Sequence, residues 1–274
     1  MMVHRCSTIA LALLVVLTSS CEGNPGELRA AVARGDLKEV KRLVDRGANV
    51  NAKTSTGSTA LHEAIFRREK LITEYLIQQG ADVSAKGMYG VTPLHMAYDA
   101  SVAALLLNNG ADVDAWSKSD GTPLHSAVTA GASEIVRMLI ARGAALDSAD
   151  INGSTPLHLA AGKGLTEVAE LLISAGASID PQNSFGFTPL HWASGNGHLE
   201  MVALLLEHGA STSTTSSSGA TPLQRASDNG HQRIVELLRK HAAERLLLWL
   251  PFTWNSWQNT DTSASWSISS FSQG

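Results

Sequence analysis

The chain has 274 residues, of which 44% are hydrophobic and 17% are charged, and its formal net charge is −4. This composition is typical of a globular protein with enough apolar side chains to bury a large core. The mildly acidic balance argues against broad nucleic-acid binding, which usually shows a basic stripe, so no nucleic-acid partner is expected. Both cysteines, Cys6 and Cys21, lie near the start, so no disulfide framework or thiolate metal site is expected after them.

The first 21 residues have the features of an export signal. Arg5 precedes twelve uncharged, mostly apolar residues that are too few to cross a bilayer as a helix. They end in Leu-Thr-Ser-Ser-Cys, which resembles the lipobox of bacterial lipoproteins, although Thr18 stands where leucine is commonest. That resemblance implies a lipidated Cys21 as the first mature residue, in the cell envelope or periplasm. Plain secretion with cleavage nearby and an uncleaved membrane anchor are the alternatives.

A threonine, usually followed by Pro-Leu-His, recurs along most of the chain. Its steps are 33, 30, 33, 33 and 33 residues, at Thr59, Thr92, Thr122, Thr155, Thr188 and Thr221. A Gly-Ala pair recurs with it, each glycine standing 12 residues before the next threonine, at Gly47, Gly80, Gly110, Gly143, Gly176 and Gly209. Such a constant period indicates stacked structural repeats.

Each repeat carries the signals of two short helices and a turn. Threonine followed by proline favours a helix start, because the hydroxyl can cap free N–H groups and proline suits the first helical turn. The recurring glycine can end the second helix in a left-handed conformation. Turn-forming stretches such as Ile-Asn-Gly-Ser-Thr then lead to the next threonine. The pattern predicts two antiparallel helices and a protruding turn or hairpin in every repeat.

These repeats resemble the ankyrin repeat, whose signature is Thr-Pro-Leu-His-x-Ala. TPLHMA, TPLHSA, TPLHLA and TPLHWA match it closely, and STALHEA and TPLQRA are altered copies. The resemblance covers about Glu27 to Ala243 and implies an all-α solenoid of stacked helix-turn-helix units with protruding hairpin loops. After a linker at 22–26, the expected units are an N-terminal cap at 27–57, repeats at 58–90, 91–120, 121–153, 154–186 and 187–219, and a C-terminal repeat at 220–243.

Some segments depart from this frame. The repeat at 91–120 is three residues short before Gly110, so about one helical turn should be missing from its helix pair. The loss is either a deletion that the fold tolerates or a local gap or bend in the stack that shapes a partner site. In the last repeat His241 replaces the terminating glycine, so the helix is expected to continue until Pro251. Residues 244–274 are expected to form this extension and a Ser/Trp-rich, partly disordered tail.

The residues that could indicate a metal, phosphate-binding or catalytic site fit structural roles better. One histidine per repeat forms a ladder with steps of about 8–10 Å, too long for a shared metal ion. Hydrogen bonds from these side chains to neighbouring loop backbone are expected instead. The segment Ala-Ala-Gly-Lys-Gly-Leu-Thr-Glu lacks the upstream glycine and strand of a phosphate loop, and no Ser-His-Asp arrangement can be placed. A non-enzymatic protein is expected, with no catalytic, cofactor-binding or metal-binding residues.

The resemblance implies that hairpin tips and the exposed side of each first helix hold a protein partner. Apolar groups on tips are typical of interfaces, although packing against neighbouring hairpins is the structural alternative. The candidate partner-binding residues are Met88, Tyr89, Val91, Ile151, Asn152, Phe185 and Phe187 on tips, and Phe66, Arg67, Tyr98, Asp99 and Trp192 on first helices. The expected role is that of a monomeric, membrane-tethered binding protein, as an inhibitor, immunity protein or scaffold. The alternatives are an accessory subunit of an envelope enzyme or transporter and a secreted host-directed effector.

Overall fold

The computed structural model describes residues 25–249, and the side chains of residues 26–244. Cys21, the expected export signal and the tail after residue 249 lie outside this range. In chain order, the described α-helices are α1 (Pro25–Ala33), α2 (Leu37–Asp45), α3 (Ala60–Phe66), α4 (Lys70–Gln78), α5 (Ala100–Asn108), α6 (Pro123–Thr129), α7 (Ser133–Ala141), α8 (Pro156–Lys163), α9 (Thr166–Ser174), α10 (Pro189–Asn196), α11 (Leu199–Glu207), α12 (Pro222–Asp228) and α13 (Gln232–Trp249).

The helices form an all-α solenoid, as the repeats predict. The first helices of the repeats are α1, α3, α6, α8, α10 and α12, and each pairs with the helix that follows it. In the repeat at 91–120, a single 3₁₀ turn, Pro93–Met96, takes the place of the first helix. Within residues 25–249 the only extended pairing is one isolated bridge between Ser117 and Gly121. The last helix, α13, passes through His241 without interruption and is 18 residues long.

One continuous apolar core runs through the stack. The leucine and the alanine of the recurring motif point inward in successive repeats, as Leu61 and Ala64 do in α3 and Leu190 and Ala193 do in α10. Each of these four side chains is almost fully inaccessible to solvent. Small alanines let neighbouring helices approach closely, and each buried leucine contributes about 1.5–3 kcal/mol by leaving water.

The recurring histidines join each repeat to the next. In the first of them, Nδ1 of His62 accepts the backbone N–H of Thr59 at 3.2 Å, which places the ring proton on Nε2. Nε2 then donates to the carbonyl of Val91 in the following repeat, at 3.1 Å. The same pair of contacts recurs at His95, His125, His158 and His191. The expectation of histidines bonded to neighbouring loop backbone is confirmed.

The missing residues of the short repeat all fall in its first helix. Its 3₁₀ turn has four residues, whereas α3 and α6 on either side have seven each. The second helix keeps its full nine residues, with Asp99 accepting the N–H of Val102 as its cap. The stack is therefore one helical turn thinner at this level, on the side of the first helices.

Candidate protein-binding groove

A cavity of about 590 Å³ opens on the concave face, which hairpin tips and first helices form together. We call it the N-terminal groove. The tips at 54–58 and 88–91 form its walls, and α1, α3 and Met96 form its base. Its apolar lining residues are Phe66, Met88, Tyr89, Val91 and Met96. A preformed cavity with mainly apolar walls is the usual form of a binding site.

Phe66 lies at the end of α3 and is 68% exposed. It lines the groove together with Met96, which lies at the end of the 3₁₀ turn of the next repeat. A phenylalanine with this exposure contributes little to the fold and keeps about two thirds of its surface for a partner.

Tyr89 is presented by a rigid tip. The tip is closed by a hydrogen bond from Gly87 N–H to the Val91 carbonyl, and the Tyr89 carbonyl accepts the N–H of Lys118 on the next tip. Tyr89 itself has a φ of 56°, in the left-handed region that costs a non-glycine residue about 1–2 kcal/mol. Tyr89 nevertheless remains 60% exposed. Strained residues held by their surroundings are typical of functional sites.

The charges at the base of the N-terminal groove largely compensate one another. Glu63 accepts from Arg29 at 3.3 Å and from Arg67 at 2.9 Å. His62 carries no charge at neutral pH, because burial lowers the pKa of its imidazole. The groove is therefore an apolar site with a small positive excess at one edge.

A second cavity, of about 410 Å³, continues from the first over the short repeat. We call it the acidic groove, since the carboxylates of Asp120 and Asp150 line it. Val91 and Met96 line both cavities, so the two grooves meet at the 3₁₀ turn. His95 is part of the lining, and burial lowers its pKa despite the carboxylate of Asp120 nearby.

Two of the aromatic residues predicted for partner binding pack within the solenoid instead of lining a groove. Trp192 lies over Gly162 of the preceding repeat, and its ring meets the edge of His158 at a centroid distance of 5.9 Å. Phe187 lies beneath the guanidinium of Arg225, 5.0 Å from the ring centroid. Both side chains are half-buried. Part of the surface of each ring is therefore occupied by contacts with first helices of the solenoid.

The other predicted residues divide between exposed tips and structural contacts. Ile151, Asn152 and Phe185 are exposed on tips of the C-terminal half, outside both grooves. Tyr98 lies 5.6 Å beneath the guanidinium of Arg68, and Asp99 caps α5. Sequence reasoning selected Phe66, Met88, Tyr89 and Val91 of the N-terminal groove but missed several other lining residues, three of which belong to its base. These are Arg29, Glu63 and Met96.

The position of Met96 within its repeat could have identified it as a candidate binding residue. Met96 stands four residues after its repeat threonine, as Trp192 does in its own repeat, so both belong to the same exposed side of the first helices. Among residues 26–244, no three His, Cys, Asp or Glu side chains come together as a metal site. No helix in that part of the chain is long and apolar enough to cross a membrane.

Residues 28–116, 98–183 and 176–245 match the sequence profile described as ankyrin repeats (3 copies). The chain belongs to the ankyrin repeat family. Its structure is similar to the crystal structure of the ankyrin repeat domain of Bcl-3, described as a unique member of the IkappaB protein family. That match has 31% identity and a TM-score of 0.67, and covers 79% of this chain and 98% of the other. The human ASB11 ankyrin repeat domain matches with 28% identity and a TM-score of 0.69, over 77% and 96% of the two chains.

Comparison with curated protein sequences gave no significant match. Ankyrin repeat domains generally mediate protein–protein interaction, and their fold is a typical non-enzymatic scaffold. The ankyrin repeats of this chain are accordingly a protein-binding solenoid, and the N-terminal groove is an open, mainly apolar surface on it.

Proposed function

We propose that this ankyrin repeat protein binds a protein partner in the N-terminal groove and performs no catalysis on it. The observation that carries the proposal is the convergence of three exposed apolar side chains, Phe66, Met88 and Tyr89, on one preformed cavity. Aromatic side chains at the centre of an interface supply most of its binding energy. Ile151, Asn152 and Phe185 extend the contact along the tips, and Phe187 and Trp192 contribute only their exposed edges.

The test is selection of displayed random peptides on the full chain. The double variant Phe66→Ser/Met88→Ser should lose the selected binders, because it removes the apolar walls. Leu71→Ser is the matched control, since Leu71 is 66% exposed on α4 but does not line the groove. Binding that survives the double variant, or is lost equally with the control, would contradict the proposal. Equal melting temperatures would show that folding is unchanged.

We further propose that the chain is exported and tethered to the cell envelope through lipidated Cys21. Arg5, the apolar run after it and the Leu-Thr-Ser-Ser-Cys sequence support this part of the proposal. A monomer in this location suits an inhibitor, immunity protein or scaffold, with an accessory subunit of an enzyme or transporter, or a secreted effector, as the alternatives. Mass spectrometry of the mature N-terminus decides the question, because a diacylglyceryl group on residue 21 is expected and an unmodified N-terminus elsewhere contradicts it.

A further inference from the structure

The N-terminal groove and the acidic groove form one continuous surface with two different chemistries. They share Val91 and Met96 at the level where the first helix is a single 3₁₀ turn. The N-terminal groove is apolar and has only a small positive excess at one edge, whereas the acidic groove presents two carboxylates. One ligand that fills both must therefore be apolar at one end and basic at the other.

The carboxylates of the acidic groove lack a cationic partner. Neither Asp120 nor Asp150 forms an ion pair with any lysine or arginine of residues 26–244. Lys118 is exposed on the same tip as Asp120 but makes no such contact. Oδ1 of Asp150 accepts the N–H groups of Asn152 and Ser154 at 2.8 Å, which fixes the carboxylate and leaves Oδ2 without a partner in the described chain.

The fixed geometry makes this end complementary to a cation. A carboxylate already held by two backbone N–H groups loses little conformational freedom when an ammonium or guanidinium group binds to it. A basic side chain also gains from two negative charges in a partly enclosed cavity, where water screens them less than on an open surface.

The distance between the two ends sets the spacing in the ligand. The tip that carries Asp120 is the neighbour of the tip that carries Met88 and Tyr89, since the N–H of Lys118 donates to the Tyr89 carbonyl, and packed helices of neighbouring repeats are about 8–10 Å apart. A polyproline II segment rises about 3.1 Å per residue with three residues per turn, so residues three apart point the same way at about 9 Å. We propose that the continuous groove binds an extended segment of a protein partner, with a large apolar residue in the N-terminal groove. A lysine or arginine three positions away faces Asp120 and Asp150. This inference rests on the proposed function and names the ligand class for its site.

The direct test measures the affinity of the full chain for fluorescein-labelled peptides by fluorescence polarisation. The probe is a Gly/Ser-flanked Phe-Pro-Pro-Arg peptide, compared with Phe-Pro-Pro-Glu and Ser-Pro-Pro-Arg. The Phe-Pro-Pro-Arg peptide should bind at least about tenfold more tightly than either. The double variant Asp120→Asn/Asp150→Asn should remove that preference for arginine over glutamate while keeping the turn acceptor. Asp120→Lys should reverse it.

Glu170→Gln provides the matched charge control, because Glu170 is an exposed carboxylate on α9 outside both grooves. Peptide binding that depends on Phe66 but ignores Asp120, Asp150 and peptide charge would overturn the inference and leave the proposed function standing. Absence of binding to all three peptides would also overturn it. The proposed function has its own test, the selection of random peptides, which does not depend on the Phe-Pro-Pro-Arg sequence.

Discussion

The two halves of the solenoid share one backbone pattern but present different concave surfaces. In the C-terminal half, Trp192 lies over Gly162, and the guanidinium of Arg225 lies over Gly195 in the same manner. Each of these glycines stands seven residues after its repeat threonine. In the N-terminal half that position is Phe66, which is 68% exposed beside Met96 of the short repeat. The residue types at these positions thus distinguish the closed surface from the open one.

The comparison also shows where binding energy is available. In the C-terminal half, the large side chains of the first helices already contact the preceding repeat, so part of their surface stabilises the fold. In the N-terminal half, Phe66 and Tyr89 retain most of theirs. A partner therefore gains more by burying the N-terminal surface, since burial energy follows the area removed from water.

The largest effect should come from the core, which both halves share. Leu61→Ala and Leu190→Ala each remove a fully buried leucine from equivalent positions. We expect each to lower the free energy of unfolding by about 2–5 kcal/mol, as measured by urea denaturation. A much smaller loss for Leu61→Ala would mean that the core of the N-terminal half is loosely packed. The two halves would then differ in their cores as well as on their concave surfaces.

A smaller effect should distinguish the closed surface from the open one. A Cβ at position 162 would lie 2.5 Å from Cε3 of Trp192, so Gly162→Ala forces the indole to move. We expect a loss of about 1–3 kcal/mol, although alanine normally favours a helix over glycine. Phe66→Ala at the equivalent position should change stability by less than about 0.5 kcal/mol. If Gly162→Ala raises the melting temperature, Trp192 does not close that surface.

The histidine ladder extends through both halves and should make stability depend on pH. Burial lowers the pKa of His62 and His158, so the folded chain binds fewer protons than the unfolded chain below about pH 6.5. Stability should therefore fall as the pH drops from 7 to 5.5, by up to about 1.4 kcal/mol per pH unit for each histidine.

Gln224 stands at the equivalent position of the last repeat, which shows that glutamine fits the helix start. His62→Gln and His158→Gln should each make the pH profile of unfolding free energy shallower by a similar amount. A profile that stays as steep in both variants would assign the pH dependence to other groups. A shallower pH profile in only one of the two variants would reveal a difference between the halves that their shared histidine contacts do not predict.

The repeat frame could be predicted from sequence because its signals are local. A threonine precedes each first helix from α3 onward, and proline follows it in all of these helices except α3. The glycine at the end of the second helix is needed for its left-handed φ alone: a Cβ at Gly80, for example, would meet no atom within 4 Å. Met88 and Tyr89 were identifiable as unusual apolar residues on a tip. The packing of Trp192 was not, because it depends on Gly162, thirty residues earlier in the chain. The exposure of Phe66 likewise depends on how the following repeat packs against α3.

The smallest effect concerns Arg68, where the two halves differ in the turn between helices. The equivalent residues of the C-terminal half are glycines, including Gly164 and Gly197, whereas Arg68 has a φ of 62°. Arg68→Gly should relieve strain of about 1 kcal/mol but lose the contact with Tyr98, worth about 0.5–1 kcal/mol, so the net change should be small. In a Tyr98→Leu background the same change should stabilise by nearly the full amount. A double-mutant cycle in urea measures the difference, and zero coupling would show that Arg68 is tolerated there for a reason other than its contact with the ring.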